Sequence, residues 1–208
     1  MGPSILPPLR QFNDVRPQSG AAIRRKKRKN SGKTDGSHYN DAGLDSVAQG
    51  FMKFILIDKI VSLEEGRTLT AVKCVSLAEE YLGDHFPTFP VLPGVLLLQG
   101  LVESASWLVR KTEGFAHSMV LLQEARNVKY KSFLAPGSRI EYVVQAKTIE
   151  ENVSSFTGCG TADGEKILEA RFGLRHFNLA DRNSAMAAVD AQVIGAMKNR
   201  YGLLTQQS

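Results

Sequence analysis

The stretch from His85 to Glu103, HFPTFPVLPGVLLLQGLVE, holds an imidazole, a glycine ahead of an apolar run, a carboxamide and a carboxylate in one short span. Imidazole exchanges a proton near neutral pH, so His85 is the candidate general base. Pro87, Pro90 and Pro93 each fix φ and restrict the residue before them, which makes the loop after His85 stiff enough to hold the ring. Gly94 allows a close backbone approach to a ligand where an apolar helix begins. The first turn of that helix carries N–H groups without intrahelical partners and the positive end of the dipole, a setting for an oxygen that gains negative charge. A base beside such an oxyanion site is the minimum equipment for taking a proton next to a carbonyl. Phe86, Pro87, Phe89, Pro93 and Val95 form the candidate substrate-binding wall, and Trp107 reads as a core or channel aromatic.

Gln99 and Glu103 lie one helical turn apart on the same face. On an otherwise apolar helix such groups are costly unless partnered, so the plain reading is a hydrogen-bonded structural pair. Asp84 either raises the basicity of His85 or solvates the loop. His38, His117 and His176 lack comparable neighbours and read as structural. Cys74 and Cys159 have no paired close spacing, which points to free thiols in a reducing compartment. Neither a metal site nor a cofactor is expected.

These residues need elements to hold them. The spacing predicts strands over Phe54–Ile60 and Thr68–Val75, separated by a turn at Glu64–Arg67, and an apolar helix from Val95 to about Lys111. Four more strands are predicted at Ser118–Tyr130, Arg139–Thr148, Val153–Thr161 and Lys166–His176, with turns at Ala135–Ser138 and Ala162–Gly164. A helix apolar on nearly every side must be enclosed, so about six antiparallel strands must curl round it. That is an α+β architecture of the hotdog type. Met186, Val189, Val193, Met197 and Tyr201 recur at helical spacing behind a candidate Ser184 N-cap.

The chain has 208 residues and a formal charge of +5, but the charge is unevenly spread. Residues 1–50 carry nine Lys/Arg against four Asp/Glu, whereas residues 51–183 carry fifteen against sixteen. The expected organisation is a disordered basic leader over 1–51, a folded domain over 52–180 and a tail over 181–208 that forms a helix. Met52 is an alternative start, which would make the leader an extension of the gene model. The run Arg24–Lys29, RRKKRK, suits polyanions, but no aromatic residues interleave it to stack bases, so nucleic acid is not the expected partner. The chain start has no apolar signal-like core, and the longest apolar stretch is broken by Pro93, Gln99 and Glu103, so a cytoplasmic protein without a membrane span is expected.

The segment His85–Leu96 resembles the signature of the FabZ/FabA-type 3-hydroxyacyl-acyl-carrier-protein dehydratases. There, His-Phe-Pro-Gly-x-Pro-x-Met-Pro-Gly-Val-Leu leads into a helix bearing an acidic residue. His85, Phe86, Pro87, Pro90, Pro93, Gly94, Val95 and Leu96 match in register, and the resemblance covers residues 52 to about 178. It implies loss of water from a (3R)-3-hydroxyacyl chain on acyl carrier protein, giving the trans-2-enoyl thioester in fatty-acid biosynthesis. It also implies a homodimer or higher oligomer with sites between subunits, His85 as base, the Gly94 amide as oxyanion donor and Gln99 at the carboxylate's position. Lys129, Lys131 and Arg126 would face the acidic carrier protein. Gln99 is the main departure, because a carboxamide orients a hydroxyl but cannot deliver a proton. Glu103 as a displaced acid, or His85 returning its own proton, would compensate. Otherwise the chain is an acyl-thioester binding module, or a hotdog thioesterase in which Glu103 directs water. Asp84, Thr88 and Leu92 are smaller departures from the pattern.

Overall fold

The computed structural model describes residues 55–86 and 88–206, without the side chain of Asp84. The basic leader, His38 and Pro87, and the expectations attached to them, lie outside the described residues. The elements are β1 (Lys59–Glu64), β2 (Thr68–Cys74), α1 (Glu80–Asp84), α2 (Gly94–Thr112), β3 (Met119–Tyr130), β4 (Arg139–Ile149), β5 (Val153–Ala162), β6 (Glu165–Phe177) and α3 (Ala187–Thr205). Two 3-10 turns, Leu179–Asp181 and Ser184–Met186, lead into α3.

The six strands form one antiparallel sheet in the order β1-β2-β4-β5-β6-β3. The long connection through α1 and α2 carries the chain from β2 to the far edge, where β3 lies. Register shifts in several of the pairings mark bulges, which bend the strands and add twist. The curved sheet receives α2, whose Leu97, Leu101, Ala105 and Leu108 join Tyr142, Phe156, Leu168 and Leu174 in the core. The expected α+β hotdog arrangement is thus present.

Gly100 makes the close contact of α2 with the sheet possible. A Cβ there would stand 2.5 Å from the hydroxyl of Tyr142, a fully buried side chain of β4. The hairpin between β5 and β6 turns on Asp163 and Gly164, both at positive φ, the conformation a two-residue turn with right-handed twist requires.

Two local expectations change. The first strand begins at Lys59, five residues later than its pattern suggests, because Leu56 gives its N–H to the Glu103 side chain and the ladder starts only at Asp58, whose N–H bonds the Val72 carbonyl. Ser184 does not cap α3. It opens a 3-10 turn whose Ala185 amide bonds the Asn183 side chain, and Met186 occupies the N-cap position. The carboxylate of Asp190, in the first turn of α3, accepts from the amides of Leu179 and Ala180 and from the Ser118 hydroxyl. Tyr201 of α3 lies against Trp107 and Phe115.

α1 (Glu80–Asp84) carries no signal in the sequence pattern. Buried Lys73 joins Asp58 at 3.2 Å to Glu79 at 2.7 Å, tying the residue before α1 to the lead-in of β1. These carboxylates hold the ammonium above its ordinary pKa although burial alone would lower it.

Candidate active site

His85 follows directly after α1, half-buried, with φ −100° and ψ 97°. Its Nδ1 lies 3.1 Å from the carbonyl oxygen of Val91. A carbonyl only accepts, so Nδ1 carries the proton in this bond and the lone pair of the neutral ring is on Nε2. Val91 and Leu92 are buried, and the Leu92 N–H bonds the Leu134 carbonyl at 2.7 Å, so the group that orients His85 is itself anchored in the core.

Between them the loop turns tightly. Phe86 adopts φ 55°, and its carbonyl accepts from the Phe89 N–H at 2.7 Å. A left-handed non-glycine residue costs roughly 1–2 kcal/mol, which the anchored ends of this loop sustain. The Phe86 ring meets the His85 ring edge-on at 4.4 Å, and Phe89 meets Phe133 edge-on at 6.4 Å. Phe86, Phe89, Val95 and Phe133 are all more than half exposed, so one chain leaves an open apolar rim along this loop and the start of α2.

Pro93 is the N-cap of α2, and its carbonyl accepts from Leu96 and Leu97. Gly94 follows with no acidic residue in the first turn. A Cβ on Gly94 would stand 3.2 Å from the ring of Tyr130, at the end of β3, so this position is narrow as well as rich in amides. Burial raises the Tyr130 phenol above its ordinary pKa.

Gln99 and Glu103 do not pair. Gln99 is exposed, one turn beyond Val95. Glu103 is turned under α3, where one oxygen accepts from Arg200 at 2.7 Å and the other from the Leu56 amide at 3.1 Å. Burial raises the Glu103 pKa, opposed chiefly by Arg200 and then by the Leu56 amide. The two residues border one cleft of about 340 Å³ between α2 and α3, which Leu56, Leu96, Trp107 and Arg200 also line. A larger depression of about 560 Å³, at Lys129, Cys159, Lys166 and Arg171, lies on the sheet and not at His85.

The structure thus brings His85, Phe86, Phe89, Pro93, Gly94 and Val95 to one end of α2, with Gln99 on the exposed side one turn on. Three further contributors carried no sequence signal: the Val91 carbonyl, Tyr130 over Gly94 and Arg200 on Glu103. His117 and His176, read from sequence as unrelated structural residues, both meet Glu113, at 2.8 and 2.9 Å. Only the i,i+4 spacing of Glu113 and His117 could have hinted at this. Cys74 and Cys159 are free. Among the described residues, no helix is long and apolar enough to cross a membrane.

A long helix in the curve of one antiparallel sheet, with an imidazole held before its first turn, defines a hotdog domain with a histidine loop. A family model described as a FabA-like domain matches residues 49–171, and the chain belongs to that family. The chain is 35% identical over 119 residues to the 3-hydroxyacyl-[acyl-carrier-protein] dehydratase FabZ of Mannheimia succiniciproducens, covering 57% of this chain and 79% of that protein. It is 32% identical over 120 residues to the FabZ of Aromatoleum aromaticum, covering 56% and 83%. Among solved structures, the dehydratase heterocomplex ApeI:P of Xenorhabdus doucetiae shares the fold with a TM-score of 0.52 and 17% identity, over 64% of this chain and 90% of that one. α3 begins beyond the matched family segment.

Proposed function

We propose that this chain dehydrates (3R)-3-hydroxyacyl thioesters carried on acyl carrier protein to trans-2-enoyl thioesters in fatty-acid biosynthesis. The observation that carries this reading is the approach of His85 Nδ1 to the Val91 carbonyl, which leaves Nε2 free as a base ahead of the first-turn amides of α2. Relatives that bear the dehydratase name over the same segment support the substrate class.

In this mechanism Nε2 of His85 takes a proton from C2, and the Gly94 N–H donates to the thioester oxygen as it gains charge. The C3–O bond then breaks, the C2=C3 bond forms, and the imidazolium returns its proton to the departing hydroxyl, which leaves as water. Gln99 of a second copy orients that hydroxyl, donating and accepting without a net proton transfer. Glu103, with both oxygens engaged, positions α2 against α3 and the residues before β1.

A second copy is expected along β3. This strand is one edge of the sheet, twelve residues long and exposed over most of its length, and Leu121, Leu122 and Tyr130 are among its exposed residues. Long exposed edges of this kind are ordinarily paired or covered. Lys129, Lys131 and Lys166 share the single carboxylate of Glu169, which leaves an excess of positive charge for an acidic carrier.

The test supplies a 3-hydroxyacyl carrier protein and follows enoyl formation, or hydration of the enoyl thioester in reverse. Turnover is expected, and Gln99→Glu is expected to increase it by supplying an acid. Tight thioester binding with no turnover in either protein would overturn the enzyme reading in favour of a binding module. Release of free thiol would instead identify a thioesterase.

A further inference from the structure

We propose that Glu113, His117 and His176 form a binding site for a divalent cation of the zinc class, remote from the His85 loop. Glu113 ends α2 as its C-cap, His117 lies in the link to β3, and His176 is near the end of β6. The nineteen residues of α2 separate this site from Gly94 by about 28 Å at ~1.5 Å per residue.

The donor atoms are already gathered. One ligand atom from each residue lies within 4.8 Å of the others. His117 Nδ1 stands 2.8 Å from one Glu113 oxygen and His176 Nδ1 stands 2.9 Å from the other. Zinc bonds of ~2.0–2.2 Å arranged tetrahedrally set ligands about 3.4 Å apart, so shifts of a few tenths of an ångström to about one ångström would seat the ion. Two imidazoles and one carboxylate suit zinc better than magnesium or calcium, which take oxygen donors. A fourth position remains for water, as Glu113 and His117 are each 15% exposed at the side chain.

A carboxylate bridging two imidazole N–H groups would explain the cluster without an ion if both bonds were well made. Only that from His117 is. The His176 ring is fully buried, and its 2.9 Å approach to Glu113 lacks the geometry of a hydrogen bond. Buried polar atoms left without partners are uncommon in native proteins and often mark an ion or water. Backbone at Glu151 and Val153 borders the ring, the kind of outer contact that orients a ligating imidazole.

Surrounding charge tolerates a cation. The guanidinium of Arg110 is committed to the carbonyls of His117 and Ser118, and Asp190 lies behind the Ser118 hydroxyl. The two carboxylates outnumber the one guanidinium. A bound ion would fasten the end of α2 to the start of β3 and the end of β6.

The test titrates zinc chloride into the full chain after chelator treatment, by calorimetry, with magnesium chloride as control. One zinc per chain is expected, with Tm raised by roughly 5–10 °C at saturation and no response to magnesium. His117→Ala and His117→Asn, checked as folded by circular dichroism, are expected to weaken zinc binding by at least ~10-fold. No saturable zinc binding by the parent would overturn the site. So would binding of unchanged strength in the folded His117 variants.

Discussion

At its beginning α2 offers backbone amides to an open rim of Phe86, Phe89 and Val95, whereas its end closes over a polar knot of Arg110, Glu113, Ser118, His176 and Asp190. The first end is short of partners and exposed; at the second, Arg110, Ser118 and Asp190 are buried and paired. A ligand entering from outside needs the first condition, since amides already engaged cannot meet an oxygen that gains charge. Chain closure needs the second, because buried carbonyls and charges destabilise a fold unless each finds a partner. Substitutions at the open end should therefore change rate with little effect on melting, and those at the closed end the reverse.

The largest effect separating the two ends is expected from His85→Ala. It should lower kcat for 3-hydroxyacyl dehydration by ~10²–10⁴-fold, with a fall in Tm no larger than the lost bond to the Val91 carbonyl explains. A variant as active as the parent would remove His85 from the chemistry. At the other end, Arg110→Met strips the donors from the His117 and Ser118 carbonyls and should cost roughly 2–3 kcal/mol of stability in denaturant titration, with kcat retained. Desolvation already lowers the Arg110 pKa to about 10, so the buried charge tolerates little further loss of partners.

Between the ends, Gly100→Ala forces a methyl group against Tyr142 and should destabilise by about 1–3 kcal/mol, shifting both ends of the helix together. A neutral result would mean that α2 can slide on the sheet. The smallest effect concerns pH. The folded pKa of Glu103 lies above its ordinary value, so the fold favours the protonated form. Its contribution is fully present below the unfolded pKa and is lost as pH rises from there through the raised folded value. Glu103→Gln should flatten that part of the stability curve, read as Tm against pH. Asp190 runs the other way: burial would raise its pKa, but the Ser118 hydroxyl and the Ala180 and Leu179 amides hold it low, so its contribution disappears as pH falls below the ordinary carboxylate range.

The loop at His85 was legible because its signals are local. Three prolines, a glycine and an apolar period dictate a stiff turn into a helix whatever the rest of the chain does. Most strands were legible for the same reason, since period-two patterning and turn residues act within a few positions. The start of β1 was not, because its pattern continues into Leu56 and Ile57, whose burial reflects contact with α2 and not strand pairing. The partners of Glu103 were not legible for the same cause: its neighbour on the helix was visible, but Arg200 lies 97 positions away.

By itself the sequence determined the hotdog class, the order of the six strands and the two long helices, the histidine loop and the absence of an acid at Gln99. The tertiary structure alone decided which nitrogen of His85 is free, where Glu103 points, and that Glu113, His117 and His176 meet. Local backbone preferences are written in adjacent residues, whereas the partner of a buried polar group is chosen by whichever distant segment the closed sheet brings to it.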